Sequence, residues 1–264
     1  MTPDDRIPAR GPAPPPWYRI LAIAALALAV VALLVVASGG PGTRFGWWHF
    51  RTGFDLMKWG GRLGLAAAVL AVAAALVARR GALLGIALVA LLVGAAAYLV
   101  PWNWRRGARQ YPPIHDITTD FANPPPLAFS RQLRDSLDIN PWQYEGDSIA
   151  AQQRKAYPDI GPVLMTLPLD SAYAAAYRTM RDLGWEVTAA NRRERTIEAV
   201  DVTAWFGFVD DVVVRVSPGS GISRVDIRSV SRVGRGDVGA NANRIRKFIA
   251  KLKENYPDAV VERG

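Results

Sequence analysis

Three long apolar runs dominate the first hundred residues of the chain, at about 18–38, 61–78 and 81–100. A helix crosses a hydrocarbon core of ~30 Å with about 20 apolar residues, and each run is close to that length. Only Arg79 and Arg80 separate the second run from the third, which indicates a tight helical hairpin. The pattern predicts a transmembrane region of three α-helices over residues 18–104, preceded by a disordered Pro-rich tail over residues 1–17.

From residue 161 the pattern changes to short alternating runs separated by turn residues. Residues 163–167 read as a strand, and a helix with an apolar face follows. Four more strand-like runs precede a last helix: 185–189, 196–204, 209–216 and 222–233. Because each strand has only one apolar face, a single layer of helices is enough to bury the apolar face of the sheet. The sequence therefore predicts an α+β core over residues 161–256, a mostly antiparallel sheet with two helices on one face.

Residues 105–160, between the two regions, lack a regular pattern. Prolines at positions 112, 113 and 124–126 favour an extended backbone. We interpret this stretch as a Pro-rich connector with irregular structure and one short helix near residues 129–137. The last residues, 257–264, are interpreted as a tail.

Charged residues alternate with apolar ones on the two central strands. Asp210 and Asp211 are neighbours in one strand, so their side chains point to opposite faces and cannot act together on one substrate atom. On the next strand, Arg228 and Arg232 share the even-numbered face. Pairing of these arginines with an aspartate across the strands is the expected structural role.

Half of the 264 residues are hydrophobic, there is no cysteine, and the net charge is +9. Residues 1–100 carry +6 of this charge and residues 101–264 only +3, so the basic excess lies mostly beside the apolar runs. Nucleic-acid binding depends on a dense cationic footprint, and we expect none here. Without cysteine there are no disulfides and no thiol chemistry.

Lysine and arginine counts bear on the orientation in the membrane. With three spans, the seven cations within residues 44–62 and 105–109 lie on one side of the membrane. Five arginines of the tail and the hairpin turn lie on the other side, namely Arg6, Arg10, Arg19, Arg79 and Arg80. By count alone, the side with seven cations is slightly favoured as the cytoplasmic side. The double arginine of the two-residue turn favours the opposite orientation, because it is costly to translocate. Residues 44–62 are also rich in Trp and Phe, which suggests an interfacial helix. We expect an integral inner or plasma membrane protein with its C-terminal domain on the non-cytoplasmic side.

Gly234, Gly236 and Gly239 spell G-x-G-x-x-G between the last strand and the last helix. A dinucleotide site needs this turn in its first βα unit, followed by a second parallel strand, and too little chain follows here. We therefore expect no nicotinamide or flavin cofactor. The glycines are interpreted as a strand-to-helix turn in which Asp237 caps the helix.

Candidate catalytic residues are sparse. Ser229 and Ser231 lie on the inward-leaning face, and the only histidines are His49 in the membrane region and His115 in the connector. A serine triad would require His115 to fold back onto the sheet, an alternative that the sequence leaves open. Two histidines without cysteine do not predict a transition-metal site.

Residues 215–253 hold ten lysines and arginines against two acids. A solvated basic face is one interpretation. The other is an anion-binding site in which Arg228, Arg232 and Arg235 meet the positive N-terminus of the last helix beside Asp237. Membranes supply such anions as lipid head groups.

Three segments carry a resemblance to a known family: IHDITTD at 114–120, GFVDDVVVRV at 207–216 and VDIRSVSRVGRGDVGANANRIRKF at 225–248. They resemble domain-of-unknown-function family 1499 over roughly residues 112–256. The motif residues in this chain are Asp210, Asp211, Ser229, Ser231, Gly234, Gly239 and Asn241. Many members resemble this chain in having membrane spans ahead of the domain. Others carry a cysteine near its start, so a role tied to that cysteine cannot be carried over, and the resemblance implies no assigned activity.

These observations predict a membrane-anchored protein whose soluble domain is a binding or envelope-scaffold module. The expected partners are the lipid bilayer and either anionic lipid head groups or another membrane protein. An enzyme acting on an envelope lipid or a small anionic substrate is the alternative, and a pure assembly partner within a membrane complex is a third interpretation.

Overall fold

The computed structural model describes residues 16–78, 80–137, 139–220 and 222–262. The chain divides into two compact units, Met1–Arg106 and Gly107–Gly264. Most of the predicted N-terminal tail, the turn residue Arg79 and the last two residues lie outside the described residues. Three apolar helices, followed by an antiparallel sheet with two helices, confirm the predicted α+β class.

The first unit contains three helices that are long and apolar enough to span a membrane. They are α1 (Pro16–Arg44), α2 (Phe50–Ala78) and α3 (Ala82–Ala108), which confirms the three predicted apolar helices. Helix α2 begins earlier than the second predicted span. Residues 50–62, which we interpreted as interfacial, are continuous with that span.

Small residues form the contacts between these helices. Alanines pack in successive layers, of which two are Ala22, Ala74 and Ala87, then Ala25, Ala71 and Ala90. A Cβ atom added at Gly64 of α2 would lie 2.8 Å from both the Ala97 Cβ and the Gly94 carbonyl oxygen of α3. Helices in lipid associate largely through close van der Waals packing, and these glycines and alanines permit that close approach.

The second unit is built on a seven-stranded antiparallel sheet. Its strands are β1 (Asp116–Thr118), β2 (Val163–Met165), β3 (Glu186–Asn191), β4 (Thr196–Val202), β5 (Val209–Pro218), β6 (Ser223–Ser231) and β7 (Val260–Val261). The order is β3-β4-β5-β6-β2-β7, and β1 pairs with β6 beyond the end of β2. Strand β7 lies in the stretch that we interpreted as a tail.

Helices α6 (Leu169–Asp182) and α7 (Ala240–Asn255) pack on one face of the sheet. Met180 of α6 and Phe248 of α7 are fully buried against the valines of β5 and β6. Trp185 stacks on Phe248 with ring centroids 6.0 Å apart. Burial of one such side chain contributes roughly 1.5–3 kcal/mol, so this layer forms the apolar core that the spacing predicted.

The opposite face of the sheet is also covered, which the sequence pattern did not predict. Residues 119–142, which follow β1 and include helix α4 (Ser130–Ser136), run across it, and helix α5 (Asp147–Ala156) comes next in the chain. Leu127 packs there against Val213 and Val230. The stretch that we interpreted as a connector is therefore part of the domain, because the charged and apolar groups on this face find their partners in it.

Candidate functional site

Asp210 and Asp211 of β5 direct their carboxylates to opposite faces of the sheet. Asp210 faces α7, where its Oδ2 lies 2.7 Å from Arg244 Nη2. The same guanidinium donates through Nε to Asp201 Oδ2 of β4 at 2.7 Å. Asp210 and Arg244 are almost fully buried, so each charge depends on the other for stabilisation. Burial raises the pKa of Asp210, and the Arg244 charge acts in the opposite direction.

Ser229, Ser231 and Asn241 extend the network beside Arg244. Ser229 Oγ donates to Asn241 Oδ1 at 2.6 Å, and Asn241 Nδ2 donates to Ser231 Oγ at 2.9 Å. Arg244 Nη1 donates to both Ser229 Oγ and Asn241 Oδ1. Buried polar groups are stable when their hydrogen bonds are made, and each of these side chains has a partner.

Within the part of the chain that the structure describes, the hydrogen-bond partners of Ser229 Oγ include no general base. Its hydroxyl donates to an amide oxygen, which does not abstract protons. His115 does fold back onto the sheet, and its carbonyl oxygen accepts hydrogen bonds from Asn241 Nδ2 and Ser231 N. His115 thus takes part in these two hydrogen bonds through its backbone carbonyl group and not through its imidazole ring. Among the described residues, no group of three or more His, Asp or Glu side chains could hold a metal ion.

On the other face, Asp211 binds two arginines. Arg134 Nη2 of α4 lies 2.6 Å from Asp211 Oδ2, and Nη2 of Arg232, the residue after β6, lies 2.8 Å from Oδ1. Arg134 also donates to the carbonyl oxygens of Val230 and Asn140. Its side chain is fully buried, whereas that of Arg232 keeps 22% of its surface exposed. Arg232 was expected to pair with an aspartate of the neighbouring strand, and its partner is Asp211, with Arg134 as the buried third member of the group.

Arg228 forms a second buried ion pair on this face. Its Nε and Nη2 donate to the two carboxylate oxygens of Asp116 at 2.9 and 2.7 Å, the bidentate geometry that guanidinium and carboxylate favour. Its Nη1 and Nη2 also donate to the carbonyl oxygens of Pro125 and Trp142. Arg228 thus fixes both β1 and the following loop to the sheet.

A third ionic cluster lies at the other end of β6. Asp226, which is fully buried, binds Arg224 at 3.0 Å and Arg215 at 3.3 Å. Asp120 approaches the same two arginines. Asp120 of the covering segment and, in the second pair, Asp116 of β1 thus both meet arginines of the neighbouring strands.

The glycine motif forms the turn into α7. Gly234 and Gly239 have φ values of 94° and 78°, which glycine adopts without strain. Asp237 accepts hydrogen bonds from Gly239 N at 2.8 Å and from Asn241 N at 2.7 Å. The N-cap position itself is Gly239. Asp237 therefore satisfies amides at the start of α7 from two residues before the cap.

The four residues predicted to bind an anion do not form one open cluster. Arg228 and Arg232 are bound to different aspartates. Asp237 places its own carboxylate on amides at the start of α7, where an anion was expected. Arg235 is exposed. Anion binding stays a prediction. Of the three predicted arginines, Arg232 and Arg235 have side chains exposed enough to contact an anion.

Sequence reasoning missed three of the charged residues that complete these pairs, namely Asp116, Arg134 and Arg244. The available signal was an isolated charge within an apolar stretch, such as Asp116 between Ile114 and Ile117. When such a stretch is buried, its charge is buried with a partner. The identity of that partner is not readable from the stretch itself.

The fold and the buried pairs define an α+β domain with ionic contacts on both faces of its sheet, attached to three candidate membrane spans. The chain belongs to the DUF1499 family, described as "Protein of unknown function (DUF1499)", which matches residues 116–252 and thus just over half of the chain. The matched range contains Asp116, Arg134, Arg228 and Arg244, so the buried pairs lie within the family domain. A search of curated proteins found no match.

Proposed function

We propose that this protein is a membrane-anchored binding or scaffold module of the cell envelope. The observation that carries the proposal is that the motif residues are engaged within the fold. Asp210 and Asp211 bind arginines on both faces, and Ser229 and Asn241 hydrogen-bond to each other. Polar residues that fix the shape of their own domain favour the presentation of surfaces over reaction chemistry.

The alternative is an enzyme acting on an envelope lipid or a small anionic substrate. Such an enzyme needs an activated nucleophile or a base within reach of its substrate. Ser229 is fully buried, and its proton is directed to Asn241. This geometry supports the module over the enzyme.

The partners that we propose are the bilayer together with anionic lipid head groups or another membrane protein. Arg235 is exposed, and Arg232 is partly so. Guanidinium groups bind phosphate and carboxylate through paired hydrogen bonds. These two arginines are therefore the cations proposed to contact an anionic partner.

Crosslinking and lipid analysis of the full chain in mild detergent test the module. We expect anionic lipids or a membrane protein to be recovered with the wild type and to be reduced in the double variant Arg232→Ala, Arg235→Ala. The double variant Arg181→Ala, Lys253→Ala, which removes two exposed cations elsewhere, is the matched control. Turnover of a recovered lipid that stops in a folded Ser229→Ala variant would contradict the module and favour the enzyme.

We further propose that the domain lies on the non-cytoplasmic side of the membrane. The short turn between α2 and α3 contains Arg80 next to Arg79, and arginines in short loops favour the cytoplasmic side. Three spans then carry the C-terminus across. A reporter that is active only outside the cytoplasm should be active when fused after Gly264. Activity of a cytoplasmic reporter alone would reverse the orientation and leave the anchored module intact.

A further inference from the structure

Three segments of the second unit meet at one end of its sheet, which we call the linker end. Residues 203–208 join β4 to β5 there, and residues 232–239 lead from β6 into α7. Because β5 and β6 are antiparallel neighbours, these two loops lie at the same end of the sheet. The chain also enters the domain at this end, since the Ile114 carbonyl oxygen accepts a hydrogen bond from Asp237 N.

The linker end exposes three apolar side chains. Val202, the last residue of β4, keeps 44% of its surface exposed, and Trp205 in the following loop keeps 37%. Val238, in the turn before α7, keeps 41%. Single exposed apolar residues are common on protein surfaces, whereas three at one end of a sheet indicate a contact surface.

Hydrogen bonds and ring stacking hold the first loop in a fixed conformation. Thr203 N donates to the Phe208 carbonyl oxygen and Phe208 N donates to Thr203 Oγ1, both at 2.8 Å. Phe206 stacks on Phe208 with ring centroids 5.1 Å apart. Val238 of the second loop has a φ of 54°, a left-handed conformation that is rare for a β-branched residue. Apolar groups on ordered loops lose little conformational entropy when they enter another phase.

The covalent chain limits which surface is able to cover the linker end. Helix α3, the third candidate span, ends at Ala108, and only Arg109 and Gln110 separate it from Tyr111. A Cβ atom at Gly239 would lie 2.5 Å from Tyr111 Cε1, so the Tyr111 ring contacts the turn into α7. Three residues of extended chain reach ~10 Å at most. This limit keeps the linker end within reach of the bilayer that α3 enters.

We propose that the linker end inserts Val202, Trp205 and Val238 into the membrane–water interface. Tryptophan suits this depth, because its indole ring is apolar and carries one N–H donor. The two valines add apolar contact, and burial of apolar surface at the lipid boundary is favourable. The inference rests on the proposed binding role and names the bilayer as the partner of this end of the domain.

Single cysteines provide the test, because the chain contains none. Val202→Cys and Val238→Cys, each labelled with a nitrobenzoxadiazole fluorophore, report on the linker end of the full chain in phosphatidylcholine nanodiscs. Ile222→Cys is the matched control, since Ile222 is 50% exposed and lies between β5 and β6 at the other end of the sheet. Strand β5 has 10 residues, so the two ends are about 30 Å apart.

Lipids with a nitroxide near the glycerol end of an acyl chain quench fluorophores that enter the interface. We expect quenching of the labels at positions 202 and 238 to exceed that at position 222 at least threefold. Adding Trp205→Ser should reduce quenching at position 238 at least twofold, because the domain loses an interfacial anchor. Adding Ile222→Ser should leave that quenching unchanged. The comparison of the three labels does not depend on the folding of the Trp205 variant.

Equal quenching at the three positions would overturn the proposal. So would a blue-shifted emission at positions 202 and 238 without quenching, because protein rather than lipid would then cover the linker end. Undiminished quenching in the Trp205→Ser variant would overturn the role of the tryptophan. These variants keep every charge of the chain, so lipid recovery with the Arg232 and Arg235 variants reports separately on the module.

Discussion

Asp210 and Asp211, adjacent in β5, hold arginines on opposite faces of the same sheet. Asp210 binds Arg244 of α7, and Asp211 binds Arg134 of α4. One dipeptide thus attaches both covering layers to the sheet through buried charges. Because an unpaired buried charge is strongly disfavoured, these pairs specify which helix lies on which face.

The two arginines that share Asp211 should differ in their effect on stability. Arg134→Ala removes a fully buried partner and should lower the free energy of unfolding by about 3–5 kcal/mol. Arg232→Ala removes a partly exposed partner while Arg134 remains, and we expect a loss of about 1 kcal/mol. Chemical unfolding of the full chain in mild detergent, followed by near-ultraviolet circular dichroism, measures both. Equal losses would show that burial does not set the strength of these contacts.

The pair of Asp116 and Arg228 offers a double-mutant test of a structural role. Arg228→Met alone leaves a buried carboxylate without its cation and should cost about 3–5 kcal/mol. Adding Asp116→Leu removes that carboxylate, so much of the lost stability should return. The same unfolding measurement applies, with exposed Arg235→Ala as the control. A double variant no more stable than Arg228→Met would contradict direct coupling between the two charges.

Alkaline pH should destabilise the domain partly through Tyr157. Burial raises the pKa of Tyr157 to about 12, whereas an unfolded tyrosine ionises near pH ~10. The folded protein therefore keeps a proton that the unfolded chain loses. The resulting stabilisation is fully present below pH ~10 and is lost as the pH rises through about 12.

Tyr157→Phe removes this titration. Its hydroxyl has no hydrogen-bond partner within the described residues, so the variant should match the wild type near neutral pH. Between about pH 9 and pH 11, its melting temperature should fall less steeply than that of the wild type. Parallel curves across this range would contradict the assignment.

Close packing of α2 and α3 predicts different effects for two glycine-to-alanine changes. Gly64→Ala places a methyl group 2.8 Å from the Gly94 carbonyl oxygen and the Ala97 Cβ, so the helices must separate, at a cost of about 1–3 kcal/mol. A Cβ at Gly85 meets nothing within 4 Å, and alanine favours the helix. Thermal unfolding in detergent should therefore show a lower midpoint for Gly64→Ala and an equal or higher one for Gly85→Ala. A similar midpoint for both variants would contradict close approach at Gly64.

Local periodicity was sufficient to predict which side chains share a face. The strand period of two separates Asp210 from Asp211 and places Arg228 with Arg232. Arg244 was predictable in the same way but was missed. It lies three residues after Asn241 and four before Phe248, both buried on α7, so the helical period places it on that face.

The cover on the sheet face opposite α6 and α7 was not predictable from such patterns. Residues 114–142 are largely irregular, and periodicity reports only on neighbours along the chain. Asp116 and Arg228 are 112 positions apart, and nothing in either local sequence encodes that contact.

The distance along the chain between Asp116 and Arg228 also sets an order of events during synthesis. Ribosomes add ~5–20 residues per second, so a separation of 112 positions corresponds to ~6–22 s. During that interval β1 has been made, but its partner strand β6 has not. Since the apolar helices come first in the chain, they are available to the bilayer while the domain that follows them is still an open polypeptide.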